Sequence, residues 1–251
     1  MNRNIAYQTQ EIAEYFSTNR VNWDQFYDSE RNILEQIGIS SSNRILDIGC
    51  GCGGLGLVLK EKFGTTNYTG IEINPSAVES AKIMNPSAQI LLGDFLDLSK
   101  SEIFDKFYDV VFSLSCFDWN IEFDRMLNQA WSHVAPGGVL VATFRLVVED
   151  GCDDMNHSYQ FINFKGEKSG EKAAYIVLNA KVLFEKLISL DPVEISAFGY
   201  FGKPSRTAIT PFNEICFAAF SIRKSSSKNH VSRKLNLQLP AEIISSLGSL
   251  K

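Results

Sequence analysis

The chain is short of the residues that would make it a disulfide scaffold, a zinc module, a membrane protein or a nucleic-acid binder. Its five cysteines (Cys50, Cys52, Cys116, Cys152, Cys216) are scattered over 251 residues with no CxxC pair. That disfavours a disulfide framework or a structural zinc site and leads us to expect reduced thiols in a cytoplasmic protein. No apolar run approaches the roughly 18 residues that a membrane span requires. The first ten residues, MNRNIAYQTQ, carry no apolar signal region. Basic residues are outnumbered, 24 Lys and Arg against 29 Asp and Glu, and a net charge of −5 argues against a phosphate-backbone binder. Histidine is scarce, with three in all, and no internal repeat is visible. What is present, 45% hydrophobic and 21% charged residues, suffices to bury a core.

The hydrophobic pattern alternates between two periods. Gln8 to Phe16 and Trp23 to Ile37 carry apolar residues at three and four spacings, as amphipathic helices do. Arg44 to Ile48 is a short apolar strand of the buried parallel type, and a glycine cluster follows it. Leu55 to Phe63 then reads as helix, Tyr68 to Ile73 as strand, Pro75 to Met84 as helix and Gln89 to Leu92 as strand. Tyr108 to Leu114 is a strand and Phe123 to His133 a helix, and a Pro136-Gly137-Gly138 turn leads into the strand Val139 to Phe144. Such alternation predicts βαβ units in a doubly wound sheet with helices on both faces. Residues 149 to 172 read as an inserted polar loop and Ala180 to Ser189 as a helix. Val193 to Phe198 and Glu214 to Ile222 leave no room for a crossover helix, so they should pair antiparallel. Residues 225 to 251 read as a flexible basic linker and a short terminal helix.

The chemistry concentrates at Asp47-Ile-Gly49-Cys-Gly51-Cys-Gly53-Gly54, between a buried strand and a helix, where glycines let backbone amides approach a ligand. Gly49, Gly51 and Gly54 also satisfy GxGxxG, so a dinucleotide site and an NAD(P)-dependent oxidoreductase stay open on spacing alone. Asp47 discriminates better, since a carboxylate at a buried strand end needs donors that an ammonium-bearing ligand supplies, while a pyrophosphate would be repelled. Glu72 ends the second strand where an acid accepts from ribose hydroxyls, and Asp94 with Phe95 offers an acceptor and an aromatic face to a purine. Cys50 and Cys52 read as small fillers of the loop, with no metal partner spaced for them.

With these pieces in order (ILDIGCGCGG, the acidic GIEIN of 70–74, LLGDF of 91–95, YDVVFSLSCFDW of 108–119 and VAPGGVLVATF of 134–144) the chain resembles the class I S-adenosylmethionine-dependent methyltransferases from about Ile45 to Ile222. The resemblance implies a Rossmann-like α/β fold: a seven-stranded, mostly parallel sheet closed by a C-terminal antiparallel hairpin. It implies that Asp47, Gly49, Gly51 and Gly53 hold the methionine part of S-adenosyl-L-methionine and that Glu72 binds the ribose. Ile73 and Phe95 would sandwich the adenine, Asp94 would accept from its amine, and Ser113 and Leu114 would flank the methionine. One domain is expected over 1–224: a helical amino-terminal cap (1–42), a cofactor-binding core (43–146), a substrate-side insertion (147–178) and a closing helix and hairpin (179–224). A tail, 225–251, follows.

Methyl transfer is an in-line displacement that positioning largely drives, but an alcohol or amine acceptor can also need a base. Groups at the carboxyl edge of the sheet are the candidates: His157 first, with Tyr159 beside it, and Asp118. Tyr15, Arg20, Trp23, Trp119, Arg145, Tyr200, Lys203 and Arg206 are the expected acceptor-binding residues. They suit a small polar molecule bearing oxygen or nitrogen, such as a sugar or nucleotide-linked sugar. No metal is expected; the alternative in which Asp118 and Asp153 or Asp154 chelate a hard cation stays secondary. The partners expected are thus a small-molecule acceptor, no nucleic acid and no membrane, with a homodimer left open. A non-catalytic methyltransferase-like binding protein is a further alternative.

Overall fold

The computed structural model describes residues 10–98, 107–163, 165–226 and 232–248. The chain enters through α1 (Gln10–Phe16) and α2 (Asp28–Gln36). The single helix expected over Trp23 to Ile37 is divided: Trp23–Gln25 is a 3-10 turn, because the Gln25 side chain turns back to accept from the Val21 and Asn22 amides at 2.8 and 3.0 Å. Then β1 (Arg44–Ile48), α3 (Gly54–Phe63), β2 (Asn67–Glu72), α4 (Pro75–Met84), β3 (Gln89–Leu92), β4 (Tyr108–Ser113), α5 (Phe123–Ser132) and β5 (Val134–Val147) follow the expected alternation. The five strands are parallel in the order β3-β2-β1-β4-β5. The Pro136-Gly137-Gly138 turn proves to be a bulge inside β5, where the β4 register shifts between Tyr108 and Val110.

Beyond β5 the sheet reverses, as expected. β11 (Ile215–Arg223) lies antiparallel to β5, and β9 (Glu194–Gly202) lies antiparallel to β11. Two strands extend the expected seven. β8 (Leu178–Asn179) pairs with the end of β5, and β12 (Lys234–Gln238) pairs parallel with β9 at the sheet edge. β12 corrects the expectation of a linker, while α7 (Ala241–Ser246) is the short terminal helix expected: Leu239, Ile243 and Leu247 are buried in the main core, so this segment covers apolar surface that β9 would otherwise expose. The polar insertion is likewise structured. β6 (Tyr159–Phe161), β7 (Lys172–Ala174) and β10 (Ala208–Ile209) form a small antiparallel sheet in the order β10-β6-β7.

Strand alternation sorts the side chains onto two faces. Leu46, Ile48, Val111, Ala142 and Phe220 join Leu127 of α5 and Leu183 of α6 (Ala180–Ser189) in one core. Ile45, Phe112, Val141 and Ala219 join Ile33 and Leu34 of α2, and Ile37 just past it, in the other. Each fully buried aliphatic side chain contributes about 1.5–3 kcal/mol. The parity has a functional consequence. Asp47 is two residues past Ile45, Glu72 two past Gly70, which pairs with Asp47, and Arg145 four past Val141. All three therefore emerge at the carboxyl edge on the face that the amino-terminal helices cover.

The strand-and-helix extension carries a test. Ile243 is fully buried, so Ile243→Ala should cost about 2–5 kcal/mol, read as a lower urea midpoint at unchanged slope. A midpoint within experimental error of the parent would show that the segment does not pack on the sheet.

Candidate active site

The loop between β1 and α3 is built from residues that only glycine serves well. Gly49, Gly51 and Gly53 have φ of 73°, 54° and 81°. The Gly49 and Cys50 amides donate to the Ile71 carbonyl at 2.9 and 3.0 Å, tying the loop to β2. A Cβ at Gly51 would meet no atom within 4 Å, so the loop faces open space there. Gly54 is the opposite case: its Cβ would lie 2.2 Å from the Arg20 carbonyl oxygen, so the incoming amino-terminal segment rests on the start of α3. Cys52 holds the same segment, its thiol 3.2 Å from the Ala13 carbonyl, and acts as a filler in a small cluster with Ala13 and Ala77.

Two buried carboxylates flank the loop. Glu72 accepts from the Gly51 amide on one oxygen at 2.9 Å, and from the Ile73 and Asn74 amides on the other at 2.8 and 2.9 Å. Burial raises its pKa while these amides pull it back. Three of its roughly four acceptor sites are thus taken, and the oxygen facing Gly51 keeps room for one further donor. Asp47 accepts from the Tyr68 hydroxyl, and burial pushes its pKa up to about 7 against the opposing pull of that bond and of the Arg20 charge.

The neighbouring positions divide. Ile73 is half-buried beside Glu72, and half-buried Asp94 accepts from the Leu96 amide at 2.9 Å. Ser113 and Leu114 are buried at the end of β4. Past them Ser115 takes φ 51° and donates from its amide to the Thr143 hydroxyl at 2.6 Å, which brings Cys116 against Gly49. Phe95 departs from expectation. It is 3% exposed within the opposite core, its ring edge-on to His133 with centroids 6.0 Å apart, so its face is not free for a purine.

A second cluster lies further along the same edge. Asp118 and Trp119 sit in a 3-10 turn, Phe117–Trp119, after β4. Arg145 is 5% exposed; its Nε lies 3.2 Å from Asp118 Oδ2 and its Nη1 donates to the Asp118 carbonyl at 2.8 Å. The guanidinium lies over the Tyr175 and Trp119 rings, 3.7 and 4.7 Å from their centroids. Burial raises the Asp118 pKa and Arg145 opposes it. Asp118 Oδ1 and Trp119 Nε1 are buried with no hydrogen-bond partner. Tyr175 was not singled out from the sequence, because it lies in an apolar stretch just past the polar insertion. Glu30, fully buried and bound to Arg20 at 2.9 Å, was hidden on the polar side of an ordinary amphipathic helix.

Other expected residues stand apart. His157 is 74% exposed on a turn that Asp154 closes by accepting from the Asn156 amide, and its ring meets Asp154 at 2.9 Å. The turn directs it outward, so it is not brought to Asp118. Of the carboxylates of the cation alternative (Asp118 with Asp153 or Asp154), Asp118 is on Arg145 and Asp154 is on the Asn156 amide and His157. Trp23 packs on α3, edge-on to Phe63 at 6.1 Å and under Lys62, because Phe26 takes the inward place. Tyr15 and Tyr200 are partly exposed, and Lys203 and Arg206 are exposed on the loop after β9. That loop borders the cluster through the Ser205 amide, 3.4 Å from the Tyr175 hydroxyl.

Residues 46–140 match the family model of a methyltransferase domain. Malonyl-[acyl-carrier protein] O-methyltransferase of Acetivibrio thermocellus is 28% identical over 135 residues, covering 51% of this chain and 47% of that protein. Trans-aconitate 2-methyltransferase of Variovorax paradoxus is 24% identical over 119 residues, 45% of each. The chain spans about half the length of these curated relatives. Among solved structures, phosphoethanolamine N-methyltransferase 2 of Haemonchus contortus, in complex with S-adenosyl-L-methionine, superimposes with a TM-score of 0.56 at 14% identity, covering 80% of this chain and 53% of that one. TehB from Haemophilus influenzae gives 0.55 at 16% identity, covering 86% and 68%. Residues 46–140 thus match a methyltransferase domain, and the strand order with its reversed closing hairpin is the fold shared with these solved structures, with the glycine loop between two buried carboxylates at its carboxyl edge.

Proposed function

We propose that the protein transfers a methyl group from S-adenosyl-L-methionine to an oxygen or nitrogen of a small polar acceptor. The observation that carries this reading is the pairing of Glu72, whose oxygen facing Gly51 keeps room for a ribose hydroxyl, with a Gly51 loop that faces open space. Asp47 suits the ammonium of the methionine end, and Ile73 with Asp94 suits the adenine. The cofactor supplies a methyl group activated by a sulfonium, and the protein aligns the acceptor and keeps water out.

The acceptor side follows from Asp118, Trp119 and Arg145. Asp118 Oδ1 lacks a donor and Trp119 Nε1 lacks an acceptor. A hydroxyl answers both, giving its proton to Asp118 and accepting from the indole, and a raised carboxylate pKa suits Asp118 to act as base. Sugars and nucleotide-linked sugars belong to this class. A carboxylate acceptor is the second reading, favoured by Arg145 and by the malonyl and aconitate acceptors in the names of two relatives. It would need no base, since a carboxylate is already a nucleophile at neutral pH.

Three outcomes test these assignments. Glu72→Ala should weaken S-adenosylmethionine binding in a calorimetric titration by about 10-fold or more, as loss of a charged hydrogen-bond partner does; unchanged affinity would remove Glu72 from the site. An ammonium placed beside Asp47 lowers its pKa, so binding at pH 6, below the free value of about 7, releases a proton. Titration in two buffers of different ionisation heat should show that release, and Asp47→Asn should abolish it. In an acceptor screen, Asp118→Asn should lower kcat about 100-fold or more for a hydroxyl acceptor and flatten the acid limb of its pH profile. For a carboxylate acceptor it should spare kcat.

A further inference from the structure

The amino edge of the sheet, opposite the glycine loop, holds a polar cleft remote from both clusters. β9 begins and β11 ends there. Glu194 pairs with Arg223, and Arg223 with Val139, six residues before Arg145 on β5 and so about 20 Å from it at roughly 3.3 Å per residue. The end of α2 lies above these strands, so that Gln36 and Ile37 form one wall, and Asn236 of β12 lines the outer side. The cleft has a volume of about 270 Å³, close to the smallest small-molecule pockets.

Two serines on a buried strand face set this place apart. Ser196 and Ser221 stand opposite each other on β9 and β11, on the face where Phe198 and Ala219, two residues along, pack into the core of α2. A β-branched aliphatic residue at either position would extend that core. Instead two hydroxyls stand there, 5% and 7% exposed, and among the described residues neither is hydrogen-bonded to the protein. The row continues to Asn236, which pairs with Ser196. The carboxamides of Asn236 and Gln36 are likewise unbonded among the described residues. Buried polar groups normally have partners, so a cleft that gathers two such hydroxyls with two carboxamides suits a ligand that supplies them.

The chemistry of the lining narrows the occupant. The two charges at the cleft answer each other: Arg223 Nε lies 3.7 Å from a Glu194 oxygen, and the other guanidinium nitrogens donate to the Gly137 and Ile37 carbonyls at 3.2 and 3.4 Å. A charged ligand would have to break that pair or leave its own charge unanswered. Among the described residues no aromatic ring lines the cleft, so it offers no stack to a nucleobase. Hydroxyls and carboxamides that both donate and accept complement neighbouring hydroxyl groups, which do the same. We propose that this cleft is a binding site for a neutral polyol of monosaccharide size, held by Ser196, Ser221, Asn236 and Gln36. The site is separate from the methyl-acceptor cluster around Asp118, at the other edge of the sheet.

NMR titration of the full chain locates the binding. The probes are the neutral polyols myo-inositol and sorbitol, with glucosamine and gluconate as their charged counterparts. Both neutral polyols should shift the Ser196, Ser221 and Asn236 amide signals with dissociation constants of about 1 mM, which about four net hydrogen bonds support, and the charged compounds should bind about 10-fold more weakly. Gln36 and Asn236 are exposed, so Gln36→Ala and Asn236→Ala should fold as the parent does and each weaken inositol binding about 5-fold. Ser221→Val, which fills the cleft, should abolish it, and Asp118→Asn should leave it unchanged. Signals that shift at Trp119 and Arg145 instead, with Asp118→Asn weakening the polyol and Asn236→Ala sparing it, would place it in the acceptor cluster and overturn the inference. Tighter binding of gluconate than of sorbitol would overturn the neutral class, and no shift at the cleft with either polyol would overturn the site. None of these readouts depends on methyl transfer.

Discussion

Burying carboxylates at one edge of a sheet is the constraint on which the rest of this structure depends. Asp47, Glu72, Glu30 and Asp118 are each under 10% exposed. A buried carboxylate without donors costs several kcal/mol or takes up a proton. The four are answered in graded fashion. Glu72 has three backbone amides, Glu30 an arginine and an amide, and Asp47 a tyrosine hydroxyl with a nearby guanidinium. Asp118 has Arg145 on one oxygen and nothing on the other. The completeness of the answer falls along the edge from the glycine loop towards the insertion, and where it is incomplete a ligand has something to supply.

The cover gives these charges their strength. The edge of an open sheet would stand in water, where unit charges a few ångströms apart interact by about 1 kcal/mol; beneath a cover the same pair interacts several times more strongly. Here α2 lies on β9 and β11 while the segment before it rests on Gly54 and Cys52. The small residues of the loop therefore have two functions. Gly51 turns the backbone so that its amide reaches Glu72, and Gly54 makes room for the chain that shields the result.

Most of the fold was legible because its signals are local and repeated. Alternating buried strands and capped helices fixed the parallel core to within a residue or two, and the short loop before β11 forced the antiparallel pair. Asp47, Glu72 and the glycines were legible for the same reason, since strand, turn and helix fix their place by backbone alone. What escaped depends on contacts distant in sequence. Phe95 has the spacing of a purine-facing aromatic, but His133, 38 residues on, takes its ring into the core. Trp23 and Phe26 are both aromatic on the same segment, and only tertiary packing decides that Phe26 turns inward. The pattern KLNLQ of β12 is too short to count as a strand until an edge is there to receive it.

The two halves of the edge are built differently, and the difference bears on what each can recognise. The half by the glycine loop is defined by backbone amides and by residues two apart on adjacent strands, so its geometry is set by the sheet itself. The half around Arg145 is assembled from the 3-10 turn after β4, the end of β5 and a tyrosine delivered by the insertion, joined where the Ile176 amide donates to the Asp118 carbonyl at 2.9 Å. Substitutions in the insertion can move Tyr175 without touching the strands, whereas nothing can move Glu72 without breaking three hydrogen bonds from backbone amides. A scaffold divided this way holds one ligand constant while its other ligand changes, which is the division that a shared cofactor and a varying acceptor demand.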